Sequence, residues 1–156
     1  MHHIPIQILQ SQSAIILPAI QDGFDNYPHI LLQKTPEEYL ALLHQLVELN
    51  GVSHSFADCY FGKLPDEKKS GLLSFLPNDW QNILLQCQFT DDSVFLSFDD
   101  IADPIIDILA YLSAKEFLFS TFYFTKYPCT VWTNYNLTYP IFFRDKEMLF
   151  YYQGIL

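Results

Sequence analysis

Hydrophobic and polar positions change rhythm several times along the chain, and each rhythm predicts a different element. Ile4, Ile6 and Ile8 alternate with Pro5 and Gln7. That is the period of a half-buried strand, and Pro5 would place it at a sheet edge or a strand start. Residues 14–20 form a second, weaker strand candidate, while Asp22-Gly23 and Asn26-Tyr27-Pro28 carry turn chemistry. Residues 29–33 fit a short strand. The period then becomes helical. Thr35 can cap a helix, Pro36 suits its first position, and Glu38 can complete a capping box. Tyr39, Leu42, Leu43, Leu46 and Val47 come next at helical spacing, and Asn50-Gly51 supplies the stop.

From residue 53 to residue 88 the pattern is helical but broken. Residues 55–62 are one helix candidate. Gly71 and Pro77 interrupt the next stretch, and Asn78 can cap a helix carrying Trp80, Ile83, Leu84 and Cys87. Residues 93–98 read as a strand between two Asp pairs. Asp103-Pro104 repeats the cap-then-proline opening, and Ile105, Ile106, Ile108, Leu109 and Leu112 make that helix apolar nearly all round, so it should be buried. The end of the chain is different again. Residues 117–125, 130–134, 137–143 and 148–153 are aromatic and β-branched runs parted by turns. They read as an antiparallel meander in which Pro140 marks an edge or a bulge. Strands, then helices, then strands predict an α+β fold, with helices packed on a C-terminal antiparallel β-meander, as a single domain over residues 1–156.

Composition sharpens this picture. Half of the chain is hydrophobic and 17% is aromatic, enough for a core of its own and unlike a disordered chain. Cys59, Cys87 and Cys129 are isolated, which predicts buried thiols in a reducing compartment. The opening residues lack the basic start of a secretory signal, and Pro18 breaks a short apolar stretch. A cytoplasmic location without membrane contact is the expectation. The net charge of −10, from 18 acids against 8 bases, opposes nucleic-acid binding, which needs basic side chains to displace counterions. It suits a basic partner instead.

Catalytic patterns are weak by comparison. Asp99-Asp100-Ile101-Ala102-Asp103 has the carboxylate spacing of a magnesium-diphosphate site, but Pro104 turns Asp103 into a helix cap and no basic cluster stands near for the diphosphate. The histidines end at His54 and form no metal-binding pair with cysteine. His54, Asp58 and Cys59 would make a poor thiol site, since on a helix Cys59 projects about 100° from Asp58. The glycines never cluster into a phosphate loop. A protein without enzymatic activity, cofactor or metal is the expectation.

Two surface features remain. Between Lys69 and Lys115 there is no Lys or Arg, while Asp79, Asp91, Asp92, Asp99, Asp100, Asp103 and Asp107 all fall there. The last six are candidates for partner binding, because clustered carboxylates repel one another until a basic surface meets them. The meander is rich in Tyr and Trp, and Trp132, Tyr135 and Tyr139 are the candidate anchors. A sheet with few helices should leave some rings exposed, and a homodimer face competes with a heterologous one.

In this general character the whole chain resembles bacterial immunity proteins, which neutralise toxins of contact-dependent inhibition and related systems. The resemblance implies one tight complex with a basic toxin domain, often a nuclease, through an acidic, tyrosine-rich surface. The alternative is a structural or adaptor protein, of phage origin or otherwise, acting as a homo-oligomer.

Overall fold

The computed structural model describes residues 1–87 and 93–156. Strand β1 (His2–Ile4) leads into helices α1 (Ile6–Ser11) and α2 (Ile20–Asn26). Strand β2 (His29–Gln33), helix α3 (Pro36–Asn50), strand β3 (Ser55–Asp58) and helices α4 (Asp66–Leu73) and α5 (Asn78–Leu85) come after them. Strand β4 (Phe95–Ser97), helix α6 (Pro104–Ala114), strands β5 (Phe122–Phe124), β6 (Cys129–Val131) and β7 (Thr138–Phe143), and helix α7 (Lys146–Gln153) complete the order. The strands form one sheet in the order β1-β4-β3-β5-β6-β7-β2, with every neighbouring pair antiparallel. The α+β class and the C-terminal meander are therefore present, and β3, β4 and β1 extend that meander on one side and β2 on the other.

Side chains alternate across a sheet, so the strand register sorts the residues into two faces. Ala57, Phe122, Val131 and Ile141 are cross-strand neighbours on one face. They belong to the main core with Leu43 and Leu46 of α3, Leu109 of α6 and Tyr152 of α7. Phe56, Tyr123, Thr130 and Phe142 form the corresponding row on the other face. The N-terminal segment covers that row: Leu9 packs with Phe56 and Tyr123, and Ile15 and Leu17 pack with Phe142. The Thr130 hydroxyl donates to the Ile15 carbonyl at 2.7 Å and ties the segment down. Each buried aliphatic side chain here contributes about 1.5–3 kcal/mol.

Local chemistry explains the helix starts. The Thr35 hydroxyl accepts the Glu38 N–H at 3.2 Å, and the Glu38 carboxylate accepts the Thr35 N–H at 2.9 Å, a complete capping box. Asp103 caps α6, whose Ile105, Ile106, Ile108, Leu109 and Leu112 are buried.

Several expectations are corrected. The Ile4, Ile6 and Ile8 alternation is a strand only as far as Ile4; beyond Pro5 the chain is helical. Residues 14–19 form no strand, and Asp22-Gly23 lies inside α2. Residues 55–58 are a strand rather than a helix, because β4 and β5 flank them on both sides. The aromatic run 148–153 is helical, started by Asp145, whose carboxylate accepts the Met148 N–H at 2.9 Å. Asn78 is the first residue of α5 and gives it no side-chain cap. Pro140 is interior, between β6 and β2. It is tolerated because its missing N–H faces Trp132, just past the last residue of β6, while its carbonyl still accepts the Trp132 N–H at 2.9 Å.

Candidate functional site

The N-terminal cover stops short of one end of the sheet. There, past Leu17 and Pro18, the face that carries Phe56 and Tyr123 opens into a cavity of about 380 Å³. Asp58 and Tyr60 reach it from the end of β3, Thr121 and Tyr123 from the start of β5, and Trp132 and Tyr135 from beyond β6. Phe119 completes the wall and meets the Tyr135 ring edge-on at 4.9 Å. Such a volume lies at the small end of ligand sites, about 300–1,000 Å³.

Among the described residues of this lining Asp58 is the charged one, and it is only 5% exposed. Its position comes from strand geometry. Phe56 points toward the N-terminal cover, so Asp58, two residues on, points the same way but past the edge of that cover. Its Oδ1 accepts the Thr121 N–H at 2.8 Å and its Oδ2 accepts the Tyr123 hydroxyl at 3.1 Å. Burial pushes the carboxyl pKa up to about 6, against the pull of these hydrogen bonds. Burial and the nearby carboxylate also raise the Tyr123 and Tyr60 phenols, so both stay neutral.

The rim is held in an unusual conformation. Asn136 and Leu137 have φ of 61° and 55° in the turn between β6 and β7. The left-handed region suits Asn but costs Leu about 1–2 kcal/mol. The Asn136 N–H donates to Glu116 at 2.9 Å, and Asn134 bridges Thr138 across the turn. This fixes Tyr135, 61% exposed, at the cavity mouth.

The predicted acidic residues that the structure describes are elsewhere. Asp99 and Asp100 lie just after β4, and the register Phe56↔Ser97 puts that end of β4 beside the start of β3, opposite to Asp58. Asp99 and Asp100 therefore stand apart from the cavity rings, at the other end of β3. Asp99 is exposed, with His2 Nε2 at 2.8 Å; the Met1 amino group, paired with it, holds its carboxyl below the usual range. Asp100 is exposed and accepts the Ala102 N–H at 2.7 Å. Asp107 pairs with His44 at 2.7 Å.

Two candidates are corrected outright. Asp103 is buried; its oxygens accept the Ile105 and Asp99 N–H groups and pair with the Met1 amino group at 3.0 Å, so it is a structural cap out of a partner's reach. Tyr139 is 1% exposed and stacks on Tyr39 with ring centroids 3.7 Å apart, inside the main core. Asp91 and Asp92 lie outside the described residues. Trp132 and Tyr135, by contrast, come together at the cavity.

Sequence reasoning missed Asp58, Tyr60 and Phe119 as a group. One signal was readable: a lone acid in the apolar run Phe56-Ala57-Asp58-Cys59-Tyr60-Phe61. Assigning that run to a helix hid it. Cys59 is no partner for Asp58: it faces the core, fully buried, with its thiol raised well above the usual value beside Cys87. Among the described residues no group of His, Cys, Asp and Glu is placed to hold a metal, and no helix is long and apolar enough to cross a membrane. No family model, curated protein or solved structure matches the chain.

Proposed function

We propose that this chain is a non-catalytic binding protein whose Asp58 cavity anchors a basic protein partner, in the manner of an immunity protein that neutralises a cationic toxin domain. The observation that carries this reading is the juxtaposition of a buried carboxylate with the rings of Trp132 and Tyr135 in one open cavity. Rings supply contact area at little entropic cost, and a desolvated charge supplies discrimination. The net charge of −10 adds a long-range field that draws cations toward the molecule without touching them. Asp58 is the one carboxyl among the described lining residues, and burial brings its pKa up to about 6. Acid–base catalysis of hydrolysis asks for a second group or an activated nucleophile beside it.

The test is a calorimetric titration against the product of the adjacent open reading frame, run at low and high salt. The expected result is a one-to-one complex that weakens with salt and weakens about tenfold or more in Trp132→Ala. A complex indifferent to Trp132→Ala would overturn the anchoring role. A concentration-dependent mass with no heterologous complex would replace the reading with a homo-oligomer.

A further inference from the structure

Resting on that reading, we infer that the cavity is a socket for one arginine side chain of the partner, its guanidinium seated on Asp58 and stacked among the rings of Tyr60, Tyr123 and Trp132.

The lining sets the charge of the occupant. Among the described residues it contains an anion and no cation, and its other polar side chains are neutral threonine, asparagine, tyrosine and tryptophan. An anionic ligand would face Asp58 at close range with nothing to compensate. A neutral apolar ligand would fill the ring-lined part and bury the carboxylate further, with no partner for its charge. An organic cation satisfies both parts at once, since aromatic faces attract cations and the carboxylate neutralises them.

Hydration and shape favour guanidinium over ammonium. Asp58 is almost removed from water, so its partner must also give up its hydration. An ammonium is a compact, strongly hydrated charge, whereas a guanidinium is planar, weakly hydrated and stacks on rings. Asp58 accepts the Thr121 N–H and the Tyr123 hydroxyl, and the Thr121 side chain also hydrogen-bonds to it. A carboxylate has about four acceptor sites, so about one remains for an incoming donor. The size agrees as well, because about 380 Å³ holds one long side chain but not a helix or a strand.

The experiment is a titration of the full chain with N-acetyl-arginine methylamide, monitored by calorimetry and by the indole N–H shift of Trp132. The matching citrulline derivative, the matching lysine derivative and free L-arginine are run in parallel. Saturable binding in the millimolar range is expected (~4 kcal/mol, the scale of a single contact). The neutral citrulline derivative should not bind, and the lysine derivative should bind at least about fivefold more weakly. Free L-arginine should bind no more tightly than the blocked form, because its α-ammonium and α-carboxylate offset each other and the proposed contacts lie on the side chain. Asp58→Asn should weaken binding about tenfold or more, while Glu67→Gln, a charge removed from exposed α4, should not change it.

No saturable shift in the wild-type chain up to tens of millimolar would overturn the inference. Equal binding of citrulline would overturn cation recognition, equal binding of lysine the guanidinium assignment, and tighter binding of free L-arginine the side-chain source. Because these comparisons use the wild-type chain, they stand even if Asp58→Asn fails to fold. A protein complex that Trp132→Ala weakens but Asp58→Asn leaves unchanged would overturn this inference and keep the cavity as the partner's anchor. Probe binding with no protein complex would do the reverse.

Discussion

Asp58 destabilises the fold that holds it. Its carboxyl titrates near about 6 when folded and near about 3.9 when unfolded. The folded state therefore binds the proton more tightly between those values. The stability associated with the group is fully present below about pH 4 and is lost as pH rises through about 6, a swing of about 3 kcal/mol. Asp58→Asn removes the swing. At about pH 7 the variant should exceed the parent in stability by up to about 3 kcal/mol, less whatever Asn forfeits as an acceptor for Thr121 and Tyr123. At about pH 4 the gain should vanish. Urea denaturation of both proteins across this range checks it, and a variant equally destabilised at both ends would contradict the buried-charge account. A second residue-scale expectation concerns Tyr39 and Tyr139, whose buried hydroxyls have no hydrogen-bond partner among the described residues. An unsatisfied buried hydroxyl costs about 1–3 kcal/mol. Tyr39→Phe should therefore leave the melting temperature unchanged or raise it, and a drop of several degrees would show a partner for that hydroxyl.

At the scale of elements, the N-terminal cover packs tightly on the sheet. Gly23 of α2 faces Phe142 so closely that a Cβ would stand 2.6 Å from its ring. The ring is itself wedged edge-on against Phe24, with centroids 5.2 Å apart. Gly23→Ala should cost about 1–3 kcal/mol by overpacking, read by denaturant titration; a neutral outcome would mean that α2 lifts freely from the sheet. This cover was also the least legible part of the sequence. The capping box at Thr35 and the Asp103-Pro104 opening are strong because side-chain oxygens there answer specific backbone N–H groups. Leu9, Ile15 and Leu17 give no such signal, since their burial depends on a sheet formed mostly by residues far along the chain. Strand β3 failed for a related reason: its four residues are buried between two partners, so no alternation survives to be read. In α7 the β-forming aromatics yield to Asp145, because strand preference reflects packing more than backbone. The cavity was legible only in its rings. Trp132 and Tyr135 could be named as surface anchors from the meander, but Asp58 could not be placed beside them without the register of β3.

At the scale of the whole molecule, the proposed reading assigns Asp99 and Asp100 a different part from the cavity. Asp99 and Asp100 lie at the opposite end of the sheet from Asp58. Exposed charges at that separation act through the field, which decays over about 8–10 Å at physiological salt. The double variant Asp99→Asn plus Asp100→Asn should therefore slow partner association several-fold at low salt and leave dissociation unchanged. Trp132→Ala should do the opposite, raising the dissociation rate about tenfold or more. Stopped-flow kinetics at two salt concentrations separate the two, and a reversed assignment would mean that the acidic corner is itself the contact surface.

The proposed partner binding and the proposed probe binding both turn on a desolvated carboxylate that lines the cavity. The carboxyl ¹³C chemical shift of Asp58, recorded through pH with and without blocked arginine, reads that state at the atom concerned. A midpoint near about 6 that moves downward when the probe is added is the expected result, because a bound cation favours the ionised form. A midpoint near about 4, or one that the probe leaves in place, would contradict it.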